Sequence, residues 1–337
     1  MQMPKSGSRF LALALSVTFG VALWSPACSD EASSTRAAET SEQPAVSFSH
    51  EPNVLHIEIG GRRFADYVYA DQEITRPYFT HVTTPASIRV TRNHPPNEGS
   101  DLVDHAMMHP GIWMAFGDLS GNDYWRLKAK VEHEMFTGAP KGGRGKGAFG
   151  VRNYFLKSGT TDRIASEEAS YTILVTPEGY LLLWDTTFAP YGEADEIVFG
   201  DQEEMGLGIR LQTRLAEQFG GALTDAEGRT GAEKIWSTQS DWVDYSGTFE
   251  GKWIGMTVMP HPANFRKSWY HARDYGFTAA NPFGRAAMKA GPKSEVTVRK
   301  GETLRLRYGV LIHSADSKQE TDTAAAYQRY LTTAGRE

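Results

Sequence analysis

The hydrophobic pattern along the chain is that of short strands. Val54 to Ile59 and Phe64 to Tyr69 both alternate apolar and polar positions, and Gly60-Gly61 between them is a hairpin signal. Tyr171 to Val175 and Tyr180 to Trp184 repeat that arrangement around Pro177-Glu178-Gly179. Further strand-like runs are Ala86 to Val90, Leu127 to Met135, Glu196 to Phe199, Gly208 to Thr213, Lys252 to Met259, Ser294 to Val298 and Leu304 to His313. A helical period shows near the end, over Lys318 to Thr333, where Ala324, Ala325, Tyr327, Tyr330 and Leu331 fall at workable spacing. Many strands with few helices predict a mainly β protein, an antiparallel β-sandwich with a short C-terminal helix.

The first residues do not fit that pattern. Lys5 and Arg9 precede an uncharged apolar run from Phe10 to Trp24. That run falls short of the roughly 20 residues that span a bilayer, and reads as a secretory signal. Ser25-Pro26-Ala27-Cys28 follows it and resembles a lipobox, with Cys28 as the lipidated residue. The expected organisation is a signal peptide over 1–27, a flexible tether over 28–45 rich in Ser, Ala, Glu and Thr, and one β domain over 46–337. The expected location is periplasmic or cell-surface, anchored to the membrane by lipid. Cys28 is the only cysteine, which excludes an intramolecular disulfide and a four-cysteine zinc site.

Charge and glycine content exclude other classes. The chain carries a net charge of −6, with no basic arm and no zinc-finger spacing, so nucleic acid is not an expected partner. Gly142-Gly143-Arg144-Gly145-Lys146-Gly147 lacks the Ser/Thr and the strand-to-helix setting of a phosphate loop. The glycines over 138–150 read instead as a long loop or lid.

Five segments concentrate chemistry. Arg92-Asn93-His94-Pro95 and Asp104 through Trp113 place three of the ten histidines within 16 residues. Asp104, His105 and His109 can ligate a metal or orient imidazoles for proton transfer. The competing reading is a histidine-braced turn with Trp113 and Met114 in the core. Asp118 with Tyr124 and Trp125 suits the rim of a sugar cleft, or else a tight turn with core aromatics. Asp201-Gln202-Glu203-Glu204 offers a carboxylate base, but on a strand Glu203 and Glu204 would point oppositely, so only one would enter a given cleft. The last segment runs from His261 to Gly276 and carries Asn264, Arg266, His271, Arg273 and Asp274. Its guanidinium groups suit carboxylates or sugar oxygens, and His271 suits proton transfer. A buried ion-pair network is the alternative.

Together with Thr75-Arg76-Pro77-Tyr78-Phe79, these segments resemble the PmoA-like family of exported proteins, over roughly residues 50–335. The methane-oxygenase name of that family looks like a misnomer, because no mature membrane span is visible in this sequence. The resemblance implies a role in carbohydrate breakdown and a fold similar to the galactose mutarotase supersandwich. Mutarotases pair a histidine acid with a glutamate base. By that analogy His105, His109 or His271 is the acid and Glu203 or Glu204 the base, with Arg76, Asn93, His94 and the polar residues of the other segments as substrate contacts.

The leading expectation is an exported carbohydrate-active enzyme that hydrolyses, eliminates or epimerises by His/Glu acid–base chemistry. No cofactor is fixed by the sequence, and a divalent metal is an open option. A non-catalytic glycan-binding lipoprotein would use Tyr124, Trp125, Trp236, Trp242, Trp253 and Trp269 as platforms. A metal-dependent oxygenase would combine His105 and His109 with Glu203 or Glu204. A structural envelope protein would leave the polar clusters without a purpose.

Overall fold

A computed structural model describes residues 43–334. The expected signal segment, Cys28 and the expected tether up to residue 42 lie outside the described residues. Two large antiparallel sheets account for most of the domain. The nine-stranded sheet runs, in spatial order, through Trp269–Arg273, Phe277–Asn281, Met205–Arg210, Ile112–Phe116, Tyr78–Thr80, Arg62–Val68, Val54–Ile59, Ala45–Glu51 and Gly143–Arg144. The eight-stranded sheet runs through Ala222–Asp225, Val243–Phe249, Lys252–Pro260, Leu304–Ala315, Gly179–Pro190, Arg163–Thr176, Lys146–Leu156 and Val131–Phe136. Glu196–Phe199 pairs with Val296–Arg299 in a small separate sheet.

Period-two alternation builds the interior. Leu55, Ile57 and Ile59 of one strand are buried and join Tyr67, Phe79, Ile112 and Met114 in the main core. The eight-stranded sheet meets them with Phe149, Tyr171, Trp184, Met256 and Val310. Aromatic contacts tie the layers, with Tyr67 to Tyr171 at 5.1 Å and Phe79 to Trp184 at 5.8 Å between ring centres. The far face of the eight-stranded sheet buries Leu181, Leu183 and Leu311 under Ala326, Tyr327 and Tyr330 of the helix Thr323–Ala334. Among the described residues no helix is long and apolar enough to cross a membrane.

The two hairpins at Gly60-Gly61 and at Glu178 are present, the second with far longer arms than expected. Several other readings are corrected. Ala86 to Val90 forms no strand and contributes one isolated bridge, Thr83 to Arg89. The run from Leu127 becomes a strand only at Val131, because Leu127 turns with a φ of +62°. The Gly208 to Thr213 run stops as a strand at Arg210 and coils into a short 3-10 turn at Thr213–Leu215. The glycine-rich lid is in fact the edge strand Gly143–Arg144 and the long strand Lys146–Leu156. Glycine there serves close packing. A Cβ at Gly147 would meet a Val46 side-chain carbon at 2.4 Å, where the first strand lies against it.

Candidate functional site

The nine-stranded sheet has a second buried face, pointing away from the main core. Trp113, Ala115, Phe277, Ala279, Val68 and Tyr78 pack there, capped by Ile74 and Trp125 from the loops above. Gly208 makes room for the indoles. A Cβ in its place would stand 2.7 Å from the Trp113 ring and 3.1 Å from that of Trp125.

Two buried arginines fasten the loops to this face. Arg92 donates to the backbone carbonyls of Leu102 and Asp104 at 2.7 Å, and to those of His105 and His109 at 3.3 Å. Arg76 donates to the carbonyls of Tyr124, Trp125 and Met108, at 3.1, 3.0 and 2.5 Å. Arg76 is therefore engaged with main chain, and its expected role as a substrate contact has no free terminal nitrogen to support it.

The clamped loop presents its histidines as a stack. His109 is buried, with its ring 4.5 Å from Phe277, 4.9 Å from Trp113 and 4.7 Å from His105. Tyr275 continues the series, 5.7 Å beyond His105. Burial, reinforced by Arg210, holds the His109 pKa well below its ordinary value, so its imidazole is neutral at neutral pH.

Asp104 connects this stack to the sheet. Arg210, fully buried on the central strand Met205–Arg210, grips both Asp104 oxygens at 2.7 Å. His105 Nδ1 lies 2.9 Å from Asp104 Oδ2. Burial would raise the Asp104 carboxyl, but hydrogen bonds from Arg210 and His105 outweigh it and hold the pKa at about 2. With Nδ1–H donated to Asp104, His105 is left with Nε2 as its acceptor. His105 also has a left-handed backbone, φ +49°, a conformation costly for a residue with a Cβ.

The opposite wall comes from the strand Trp269–Arg273. His271 is buried there, with its Nε2 3.3 Å from Glu203 Oε1 in a contact not aligned as a hydrogen bond. Burial drives its pKa down to about 3, against the pull of Glu203. Glu203 Oε1 accepts from Arg273 at 2.7 Å and from Trp236 Nε1 at 2.5 Å. Burial pushes Glu203 up, but His271, Trp236 and Arg273 together leave it below the usual carboxylate value. Glu204 pairs with Arg126, which also reaches Asp123 at 3.2 Å. The two glutamates lie in the turn before the strand rather than on it. Strand alternation therefore does not separate them, and both stand at this site.

These groups enclose a cleft of about 240 Å³, with His105, His109 and His271 facing Glu204, Arg126 and Arg273. Tyr275, Trp125 and Met108 complete its lining. Candidate ligand atoms of Asp104, His105 and His109 lie within 4.8 Å of one another. Arg210 already occupies both Asp104 oxygens and places a fixed positive charge beside them, so the set fits proton transfer better than a divalent ion.

The other nominated residues have different surroundings. Tyr124 is a core anchor whose hydroxyl donates to the Leu156 carbonyl at 2.7 Å, not a rim platform. Trp125 is almost fully buried and offers the cleft only a small part of its surface. Asn93 donates to Asp101 at 2.6 Å, and Asp118 accepts from the Gly121 N–H within a turn. His94 lies edge-on to Tyr78 in a separate cleft with His56, Asp66 and His81. His261 accepts from the Ala263 N–H and packs on Tyr330. Asn264 pairs both ways with the Arg307 backbone, and Arg266 donates to the Pro282 carbonyl and the Ser294 hydroxyl. Asp201 accepts from three backbone N–H groups over 286–294. Asp274 is exposed on a neighbouring cleft.

Arg210, Arg126 and Tyr275 were not singled out by the sequence. Arg210 carried a signal, a charge between Ile209 and Leu211 in an otherwise apolar run. Arg126 and Tyr275 carried none that separates them from ordinary surface residues.

A family model described as a family of unknown function, DUF6807, matches residues 54–328. Among curated proteins the chain has no match. Among solved structures it is similar to the galactosidase domain of an alpha-galactosidase-sucrose kinase, AgaSK, at 9% identity and a TM-score of 0.40. That likeness covers 80% of this chain but only 42% of the other, so this chain spans less than half its length. It is similar to a galactose mutarotase-like protein from Clostridium acetobutylicum, at 9% identity, over 82% of this chain and 99% of that one, with a TM-score of 0.38. It is also similar to the GalM/aldose epimerase homologue from C. elegans, at 9% identity, over 80% and 99% of the two chains, with a TM-score of 0.31.

Proposed function

We propose that this chain, which belongs to the DUF6807 family of unknown function, is a carbohydrate-active enzyme that moves protons on a sugar bound between His105 and His271. The observation that carries this reading is convergence. Three histidines, Glu204 and two arginines from separate segments meet around one small cleft. A cleft of about 240 Å³ lies below the roughly 300–1,000 Å³ of drug-sized sites and suits a single polar ring. Arg126 and Arg273 supply donors, Glu204 supplies acceptors, and Tyr275 offers an aromatic surface to the apolar side of such a ring.

His105 is the acid–base group in this proposal. Asp104 and Arg210 fix its tautomer and ring plane, and His109 supports it from behind. Its Nε2 takes a proton from a carbon beside a carbonyl or carboxyl group, and Arg126 and Arg273 stabilise the oxyanion that develops. Return of a proton from solvent to the opposite face of the carbon gives epimerisation, whereas breaking of the glycosidic C–O bond, with the proton passed from His105 to the departing oxygen, gives elimination. Hydrolysis calls for a carboxyl kept protonated by a raised pKa, and Glu203 is held in the opposite direction.

The N-terminal segment supports export with a lipid anchor at Cys28, and the motif resemblance to PmoA-like proteins agrees with a role outside the cytoplasm. Fatty-acid labelling of the expressed full chain, lost in Cys28→Ala, is the test of the anchor. The activity is tested by incubating the protein in D2O with a panel of neutral and uronate-containing oligosaccharides and following them by NMR. Deuterium at a ring carbon, or a new unsaturated sugar, is expected with the wild type and absent with His105→Gln. Binding without either change makes the protein a glycan-binding module.

A further inference from the structure

Arg273 belongs to two clefts. On one side it lines the His105–His271 cleft. On the other it lines a more open cleft of about 410 Å³, with Trp236, Glu233, Asp274 and Glu217. Glu203 ties the two together, because its Oε1 accepts from both Arg273 and Trp236 and lies beside His271. Trp236 is thereby fixed in place, with Lys289 Nζ 5.4 Å from its ring centre. The ring is partly exposed, and Glu233 and Asp274 beside it are exposed carboxylates. An aromatic surface flanked by hydrogen-bond acceptors is what a second sugar unit needs, the ring for its apolar side and the carboxylates for its hydroxyls.

We infer that the Trp236 cleft is a subsite for the neighbouring unit of the same glycan, so that the substrate is a disaccharide or longer and passes over Arg273. The inference rests on the carbohydrate reading above and deepens it. The reacting unit occupies the histidine cleft and its neighbour stacks on Trp236. Arg273 contacts both units and is held ready for them by Glu203.

The test is calorimetric titration of the full chain with matched mono-, di- and trisaccharides of β-1,4-glucose, β-1,4-mannuronate and α-1,4-galacturonate. In the series that binds, the disaccharide is expected to bind about tenfold tighter than the monosaccharide. That step, the ratio of the two affinities, should vanish in Trp236→Leu. Glu233→Ala should shrink the same step, and because Glu233 is exposed, this variant carries the test if Trp236→Leu fails to fold. Equal affinity for mono- and disaccharide in the wild type overturns the subsite and leaves the carbohydrate reading standing. Absence of binding across all three series overturns both.

Discussion

Asp104 stands between His105 and Arg210 and spends both of its oxygens on them, at 2.9 Å to the imidazole and 2.7 Å to the guanidinium. The carboxylate is tied to the sheet on one side and to the catalytic candidate on the other. Asp104 is thus a positioning residue. Asp104→Asn keeps the size but leaves the His105 tautomer unspecified. Deuterium wash-in should fall by about 100-fold or more, within the range general acid–base groups contribute. The fall should appear in kcat rather than KM, and the pH profile should move. An unchanged profile would assign Asp104 a purely structural role.

Stability should decline as the solution is acidified below the ordinary histidine pKa. His109 and His271 are buried with pKa values pushed down, His271 to about 3. The unfolded chain binds protons at these sites near pH 6.5, and the folded chain does not. Their contribution is present above that pH and is lost progressively as the pH falls, for His271 between about 6.5 and 3. At pH 5 His271 should cost on the order of 1–2 kcal/mol. Urea unfolding at pH 7 and pH 5 measures the loss, and His271→Gln should reduce it.

Gly208→Ala should disturb the floor of the site without touching the cleft. Its methyl group would press on Trp113 and Trp125, and overpacking of this kind costs about 1–3 kcal/mol. A lower midpoint of thermal unfolding, together with weaker sugar binding, is the expected pair of results.

Arg76→Met should loosen the roof. Three backbone carbonyls lose their donor, and each buried group left unpaired costs about 1–3 kcal/mol. Hydrogen exchange should quicken over 104–109 and 123–126. Rates that stay unchanged there would show that Arg92 alone holds the loop.

Zinc should bind weakly. Arg210 competes for Asp104, so elemental mass spectrometry after zinc incubation and gel filtration should find far less than one ion per chain. One tightly held ion, lost in His105→Ala, would move the chemistry to a metal centre.

Much of the architecture was legible because alternation is a local signal. The strand Glu196–Phe199 and both named hairpins follow from it. The strand Lys146–Leu156 was hidden, because glycine weakens a strand pattern whether it serves motion or close contact. Only the nearness of Val46, a hundred residues away in sequence, distinguishes the two. At the site, His105, His109, Glu203, Glu204, His271 and Arg273 were visible as dense chemistry, and the fold brings them together. Asn264 and Arg266 have the same chemical character but meet backbone partners. Sequence density does not separate a ligand-facing arginine from one that braces a loop.

The Arg92 clamp has a consequence for how such a site can change. It holds the 102–109 loop through carbonyl oxygens, which every amino acid provides. Its grip is indifferent to the side chain at Met108, which lines the cleft. That position can be exchanged to suit a different ligand while His105 keeps its place, so the chemistry and the specificity of this loop are free to evolve separately.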